Sequence, residues 1–253
     1  MRKFKCMFGA VSALLLASTA LAQTSQVNVG RVIDQTPKPG MTKQYEDGRK
    51  RHMDWHRKAG DTWSWEIWQV TTGERAGTFI SITFGHSWKD FDTWDQKYAE
   101  ADSADADANM GPSIGRQVES VWMLLTDASR MTAGAQPSKM AEVIHFMVKP
   151  GSEEDFDYGI RKANEAANQQ NWAGHYAWYA LANGGESGHY VLVIPINSWA
   201  DMAEPDPGFF GMLEKALGRH GSEMLAHLFD KSIKGSWSEM ITYRPDLSYH
   251  PAK

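Results

Sequence analysis

Residues 140–148 read Met-Ala-Glu-Val-Ile-His-Phe-Met-Val, and alternate positions sort onto two faces: Ile144, Phe146 and Val148 on one, Val143, His145 and Met147 on the other. A period of two predicts a strand buried on both faces. From 152 to 170 the period lengthens. Phe156, Ile160, Ala163 and Ala167 recur at three- and four-residue spacing, the mark of a helix with one buried stripe. Two runs rich in aromatic and β-branched residues then flank Gly184 and Gly188 and predict a hairpin. "SWSEMITY", 236–243, predicts a closing strand.

The same order occurs once before. A strand at 27–35, a helix at 41–58, a hairpin around Gly73–Gly77 and a closing strand "QVESVWMLL" precede the second set. Shifting the chain by 111 residues lays 38–90 on 149–201 without a gap. Lys38, Pro39, Gly40, Gly48, Gly73, Gly77, Ser87, Trp88 and Asp90 then meet identical residues. Glycine and proline fix where turns fall, so their coincidence carries more than the bare identity does. The expectation is a tandem duplication, each copy β-α-β-β-α-β, over 27–127 and 140–244, with a linker at 128–139 and a tail at 245–253.

Ser-Trp-x-Asp, at 87–90 and again at 198–201, is a capping box in which Asp replaces the commoner Glu. It predicts the start of the second helix in each copy, with the Trp beside the cap as a packing anchor. "EADSADADANMG" in the first copy is expected to be a solvated acidic insertion. Its Gly111 comes one place late for a calcium loop, and Arg116 stands where the closing Glu would be. "AEPDPGFFG", 203–211, breaks the corresponding helix, and Phe209 and Phe210 are expected to pack there. Gly48 and Gly159 stand mid-helix, where Gly costs up to about 1 kcal/mol against Ala. A close approach of helix backbone to sheet is expected to offset it.

The N-terminus changes the compartment. "MRKFK", an apolar stretch and Ala20-Leu21-Ala22 before Gln23 form the pattern of a signal peptide, 1–22, so a periplasmic or secreted protein is expected. Cys6 is the one cysteine and falls inside that segment, which leaves the mature chain without a thiol or disulfide. Losing Arg2, Lys3 and Lys5 moves the net charge from −5 to −8. An acidic chain with no basic run is not a nucleic-acid binder. No second apolar run reaches membrane length, so no transmembrane anchor is expected in the mature chain.

Two β-α-β-β-α-β units with this helix placement and an aromatic-rich hairpin are ferredoxin-like, α+β, and resemble the dimeric α+β barrel superfamily. That group includes antibiotic-biosynthesis-monooxygenase-like, NIPSNAP-like and EthD-like domains and the chlorite dismutase relatives. The resemblance implies two four-stranded sheets facing each other as one barrel, here supplied by a single chain, as a monomer or a homodimer. It also implies a ligand cavity, either inside the barrel or between sheet and helices. It selects no chemistry and carries over no catalytic residue.

Candidate chemistry therefore comes from the strand faces. Centring the first hairpin between Glu74 and Arg75 sets Ile67 opposite Ile82 and turns Glu66, Trp68, Phe79, Ser81 and Thr83 into the barrel. The 111-residue shift adds His175, Tyr179 and Tyr190, and strand alternation adds Asp34 and His145. The expected site has His145, His175, Asp34 and Glu66 as its ionisable groups, with Trp68, Phe79, Ser81, Thr83, Tyr179 and Tyr190 as ligand-binding lining. His52 and His56, four apart on a helix, can reach one ion from the same face. Their counterparts Ala163 and Ala167 face the sheet, which favours a packing pair, and no metal is assigned. The expected function is binding of a small apolar or aromatic molecule, with cofactor unknown. The alternative is a cofactor-independent monooxygenase or a haem-dependent oxidoreductase.

Overall fold

The computed structural model describes residues 28–132 and 136–251. The signal-peptide pattern and Cys6 lie outside them. Twelve elements follow one another: β1 (Val29–Pro37), α1 (Thr42–Ala59), β2 (Glu66–Val70), β3 (Phe79–His86), α2 (Trp88–Asn109), β4 (Ile114–Leu124), β5 (Met140–Val148), α3 (Glu153–Gln169), β6 (Ala177–Asn183), β7 (His189–Ile196), α4 (Phe209–Ser232) and β8 (Ile233–Tyr243). No helix among the described residues is long and apolar enough to cross a membrane.

The eight strands close into a barrel in the order β1-β3-β2-β8-β5-β7-β6-β4, antiparallel throughout. Each half has the order of a ferredoxin-like sheet, β4-β1-β3-β2 and β8-β5-β7-β6. The halves join where Trp68 lies opposite Tyr243 and where Leu124 lies opposite Tyr179. Closure leaves no free strand edge, so one chain completes what would otherwise need a partner. The hairpins keep one register 111 residues apart: Trp68 opposite Ile80 in the first, Tyr179 opposite Val191 in the second.

That register differs by one residue from the sequence expectation. Glu66, not Ile67, lies opposite Ile82. The turn is centred on Glu74, with Gly73 at φ 82° and Gly77 at φ 92° supplying left-handed corners that other residues rarely adopt. A slip of one reverses every side chain of β3. Ile80, Ile82 and Phe84 enter the barrel with Val32, Trp68, Trp122, Val143, Val191 and Ile241, a cluster drawn from strands alone. Phe79 packs instead under α1 against Tyr45, Ile67 and Met110. Ser81 and Thr83 share its face. Tyr190, the counterpart of Phe79, likewise lies outside the barrel, against Phe156 of α3. The barrel interior is thus filled by its own aliphatic and aromatic side chains.

Other expectations meet the structure unevenly. Ser87 caps α2: its Oγ accepts from Asp90 N–H at 3.3 Å, and its own N–H donates to the Asp90 carboxylate at 2.7 Å. In the second copy Ser198 N–H donates to Asp201 at 3.0 Å, but only a 3₁₀ turn, Trp199–Met202, follows, and α4 begins at Phe209 beyond the proline-rich break. Trp88 and Trp199 are 54% and 62% exposed and lie outside the core, Trp88 only flanking the core residue Phe91 at 6.1 Å. The acidic stretch at 100–109 is not an insertion but the last turns of α2, whose Asp102 and Asp105 face α1. Phe209 packs beside Trp172, whereas Phe210 is exposed. Gly48 does mark a close approach, but to another helix: a Cβ there would stand 2.2 Å from the carbonyl oxygen of Asn109 at the end of α2. Gly159 similarly makes room for Phe229 of α4.

Candidate functional site

Of the residues expected to line the barrel, Asp34, Glu66, Trp68, Tyr179 and His145 do so; Asp34 lies opposite Ile80 and Glu66 opposite Ile82, both interior. His175 does not. It precedes β6, is exposed, and its Nδ1 meets the Ala173 carbonyl at 2.9 Å. Glu66 sits at the barrel end that holds Tyr179 and Tyr243, and burial raises its carboxyl. It therefore does not share a space with His145.

His145 belongs to the opposite end, where hairpin turns close the barrel. Its Nδ1 is 2.9 Å from Nε2 of His189, its Nε2 is 3.5 Å from Glu239, and its ring stacks on Trp237 at 4.6 Å. Arg75 bridges the ends of the strands, donating to Asp34 at 2.8 Å and to Glu239 through two guanidinium nitrogens. Burial raises the Asp34 carboxyl despite Arg75. Burial works the same way on Glu239, but His145 and Arg75 outweigh it and hold that carboxyl below its usual range. Burial, helped by His145 and Arg75, takes His189 down to about 4. The charges pair internally, and the arrangement plugs the barrel with an ionic network in which Asp34 Oδ1 and His145 Nε2 keep no hydrogen-bond partner. Arg75, His189 and Glu239 were not singled out from the sequence because their meeting depends on strand register.

Open space lies elsewhere. A cleft of about 340 Å³ runs between the outer face of β1 and β4 and the helices α1 and α2. Arg31, Ile33 and Gln35 come from β1, Arg49 and His52 from α1, Trp65 from the segment before β2, Trp94, Asp95 and Asp102 from α2, and Gln117 and Glu119 from β4. Arg49 is 3% exposed. Its guanidinium donates to Gln35 Oε1 and, at 3.0 Å, to the Tyr45 hydroxyl; its Nε has no partner. Among the described residues no carboxylate lies within ion-pair distance of it, whereas Arg31 at the rim is paired with Asp95 at 3.1 Å and Glu119 at 2.9 Å.

Deeper in the same layer is a histidine–aspartate network. His56 and Asp61, both 1% exposed, meet through Nδ1 and Oδ2 at 2.8 Å. Asp61 also accepts from Trp63 N–H at 3.0 Å, Trp65 Nε1–H at 3.0 Å and Trp94 Nε1–H at 2.9 Å. Burial opposes ionisation of Asp61, and these donors, His56 first, reverse it and hold the carboxyl below its ordinary value. His52 Nδ1 meets Asp105 Oδ2 at 2.8 Å. Burial pulls His52 down to about 2 and pushes Asp102 up to about 6. The Nε2 atoms of His52 and His56 both face Asp102 Oδ1, at 3.4 and 3.3 Å. The i, i+4 spacing of the two histidines was visible in the sequence. Asp102 and Asp105 were not, because the stretch that carries them looks like solvated helix surface until α1 is packed against it.

Solved structures share this fold. A proposed monooxygenase from Lactobacillus acidophilus superposes with TM-score 0.54 at 9% identity, over 89% of this chain and 97% of that one. A proposed monooxygenase from Fusobacterium nucleatum gives 0.54 at 13% identity, over 86% and 92%, and an anthrone oxidase-like protein gives 0.54 at 8% identity, over 90% and 94%. At these identities the likeness is one of fold, an α+β barrel, and it carries no activity. No protein-family model matches the sequence, and no curated protein is significantly similar to it.

Proposed function

We propose that the protein is an exported binder of a small anionic ring compound, held in the cleft between β1, β4, α1 and α2. Arg49 carries this proposal. A buried guanidinium without a carboxylate costs several kcal/mol in desolvation unless a partner meets it. Here it lines an open cleft with Trp65 and Trp94. A carboxylate, phenolate or enolate on an aromatic body satisfies both features, the charge at Arg49 and the ring against indole. One chain closes the barrel, so the cleft is complete in a single copy. Export rests on the pattern at 1–22, and a mature chain beginning at Gln23 by intact mass tests it.

The binding proposal is tested by titrating aromatic carboxylates and phenols into the mature protein and following tryptophan fluorescence. Saturable quenching by acidic ring compounds supports the cleft. No response to any of them, with the protein folded, removes it.

A second reading has the bound ring oxidised by dioxygen without a cofactor. The fold shared with proposed monooxygenases and an anthrone oxidase-like protein favours it. Oxygen uptake in the presence of a ring compound that binds is its test.

The buried histidines His52, His56 and His145 and the half-buried His86 do not fit haem. An axial histidine must present a free ring nitrogen to an open apolar slot. His86 uses Nε2 on Thr83 Oγ1 at 2.6 Å and stacks on Trp63 at 3.7 Å. His145 lies between His189 and Glu239. His52 and His56 turn Nε2 toward a carboxylate rather than a porphyrin-shaped space. Between the second sheet and its helices, Phe146, Phe156, Trp178 and Tyr190 fill the layer.

A further inference from the structure

We infer that His52, His56 and Asp102 form a binding site for a divalent transition-metal ion, a function that goes beyond ligand binding in the cleft and does not depend on it. The inference starts from protons. Asp61 receives donors from Trp63, Trp65 and Trp94, so as a carboxylate it takes the Nδ1 proton of His56 as well. Asp105 does the same for His52. In the neutral imidazole only one nitrogen carries hydrogen, so each Nε2 is left with a lone pair.

Both lone pairs meet Asp102 Oδ1, which is buried and has no hydrogen-bond partner. Three acceptors thus face one another with no donor between them. The ligand atoms all lie within 4.8 Å of one another. The Nε2 to Oδ1 separations, 3.4 and 3.3 Å, are longer than the roughly 2.7–2.9 Å of a charge-assisted hydrogen bond. They match the edge of a tetrahedron with metal bonds of about 2.0–2.1 Å, which is close to 3.3 Å.

The surroundings fit a built metal site. A ligating histidine donates its other ring N–H to a carboxylate, which fixes tautomer and orientation, and both histidines here do so. Two imidazoles and one carboxylate suit zinc, iron, cobalt or manganese in the divalent state, and exclude calcium and magnesium, which take oxygen ligands. Three protein ligands leave a position free, and two of them, His52 and Asp102, border the cleft that Arg49 also lines. The second copy holds Ala163 and Ala167 where His52 and His56 stand, which makes the site a property of the first copy alone.

The test uses the mature chain without a histidine tag, stripped with chelator and titrated with Co²⁺ and Zn²⁺ in the absence of any organic ligand. The expected result is one ion bound per chain and visible Co²⁺ absorption of a low-coordinate site. Asp102→Asn, equal in size to the native residue, and His52→Ala should each weaken binding roughly tenfold or more. His175→Ala should not change it. Added Zn²⁺ should raise the melting temperature of the native chain and leave that of Asp102→Asn unmoved. Absence of stoichiometric binding by the native chain would overturn the inference, and so would equal affinity in folded Asp102→Asn. Either failure leaves binding of ring compounds at Arg49 untouched.

Discussion

His56 and Asp61 form a hydrogen-bonded pair at 2.8 Å in which neither residue is more than 1% exposed. Asp61 organises the first copy: one carboxylate fixes a histidine of α1, the indole of Trp65 ahead of β2 and the indole of Trp94 in α2. Asp61→Asn places an NH₂ group among donors and loses at least one of these bonds. A loss of about 3 kcal/mol or more in unfolding free energy is expected, read by urea denaturation.

The register of the hairpins sets a contrast among tryptophans. Trp68 is 7% exposed inside the barrel, whereas Trp88 and Trp199 are more than half exposed. Trp68→Ala should cost about 3–5 kcal/mol through the cavity it leaves. Trp88→Ala and Trp199→Ala should each stay within about 0.5 kcal/mol of the native chain. Equal costs would mean that the barrel interior has been misassigned.

Gly48→Ala tests the contact between α1 and the end of α2. Ala gains up to about 1 kcal/mol in helix propensity over Gly. Here the added methyl meets backbone at Asn109 O, which cannot rotate away. A net loss of about 1–3 kcal/mol is expected, measured by thermal melting.

Acid should weaken the barrel plug in a defined window. His189 has its folded pKa lowered to about 4 from the ordinary histidine value of 6.5, by burial and then by His145 and Arg75. The unfolded chain therefore binds more protons between these values, and stability falls as pH drops from about 6.5 to 4. Glu239, also depressed, extends the loss below its unfolded value. His189→Gln should flatten the decline between pH 6.5 and 4 relative to the native chain. An unchanged slope would show that His189 does not titrate as placed.

The repeat was legible because glycines and capping serines recur at a fixed spacing, and β1 and β5 occupy the expected positions. The faces of β3 and β7 were not legible. Ile80, Ile82 and Phe84 are wholly apolar and Phe79, Ser81 and Thr83 are mixed, but both faces of the strand are covered, one by the barrel and one by the helix layer, so polarity does not say which set enters and the turn decides it. That turn holds two left-handed glycines and centres on one residue rather than between two. A cavity between sheet and helices was among the expectations, but its lining was not legible, for a different reason. Gln35, Arg49 and Asp102 lie on three elements, and none forms a local motif. His52 and His56 did form one, but their Ala counterparts in the second copy argued for packing until Asp61, Asp102 and Asp105 supplied the carboxylates around them.

The central claim is that Arg49 anchors an anionic ring in the cleft. Calorimetric titration of an aromatic carboxylate and its uncharged amide, into the native chain and into Arg49→Met, tests it most directly. A hydrogen bond to a charged group contributes about 1.5–3 kcal/mol, so the native chain should prefer the carboxylate by roughly tenfold or more. Arg49→Met should lose that preference while keeping its fold. Equal affinity for acid and amide in the native chain, or an undiminished preference for the acid in Arg49→Met, would contradict the claim.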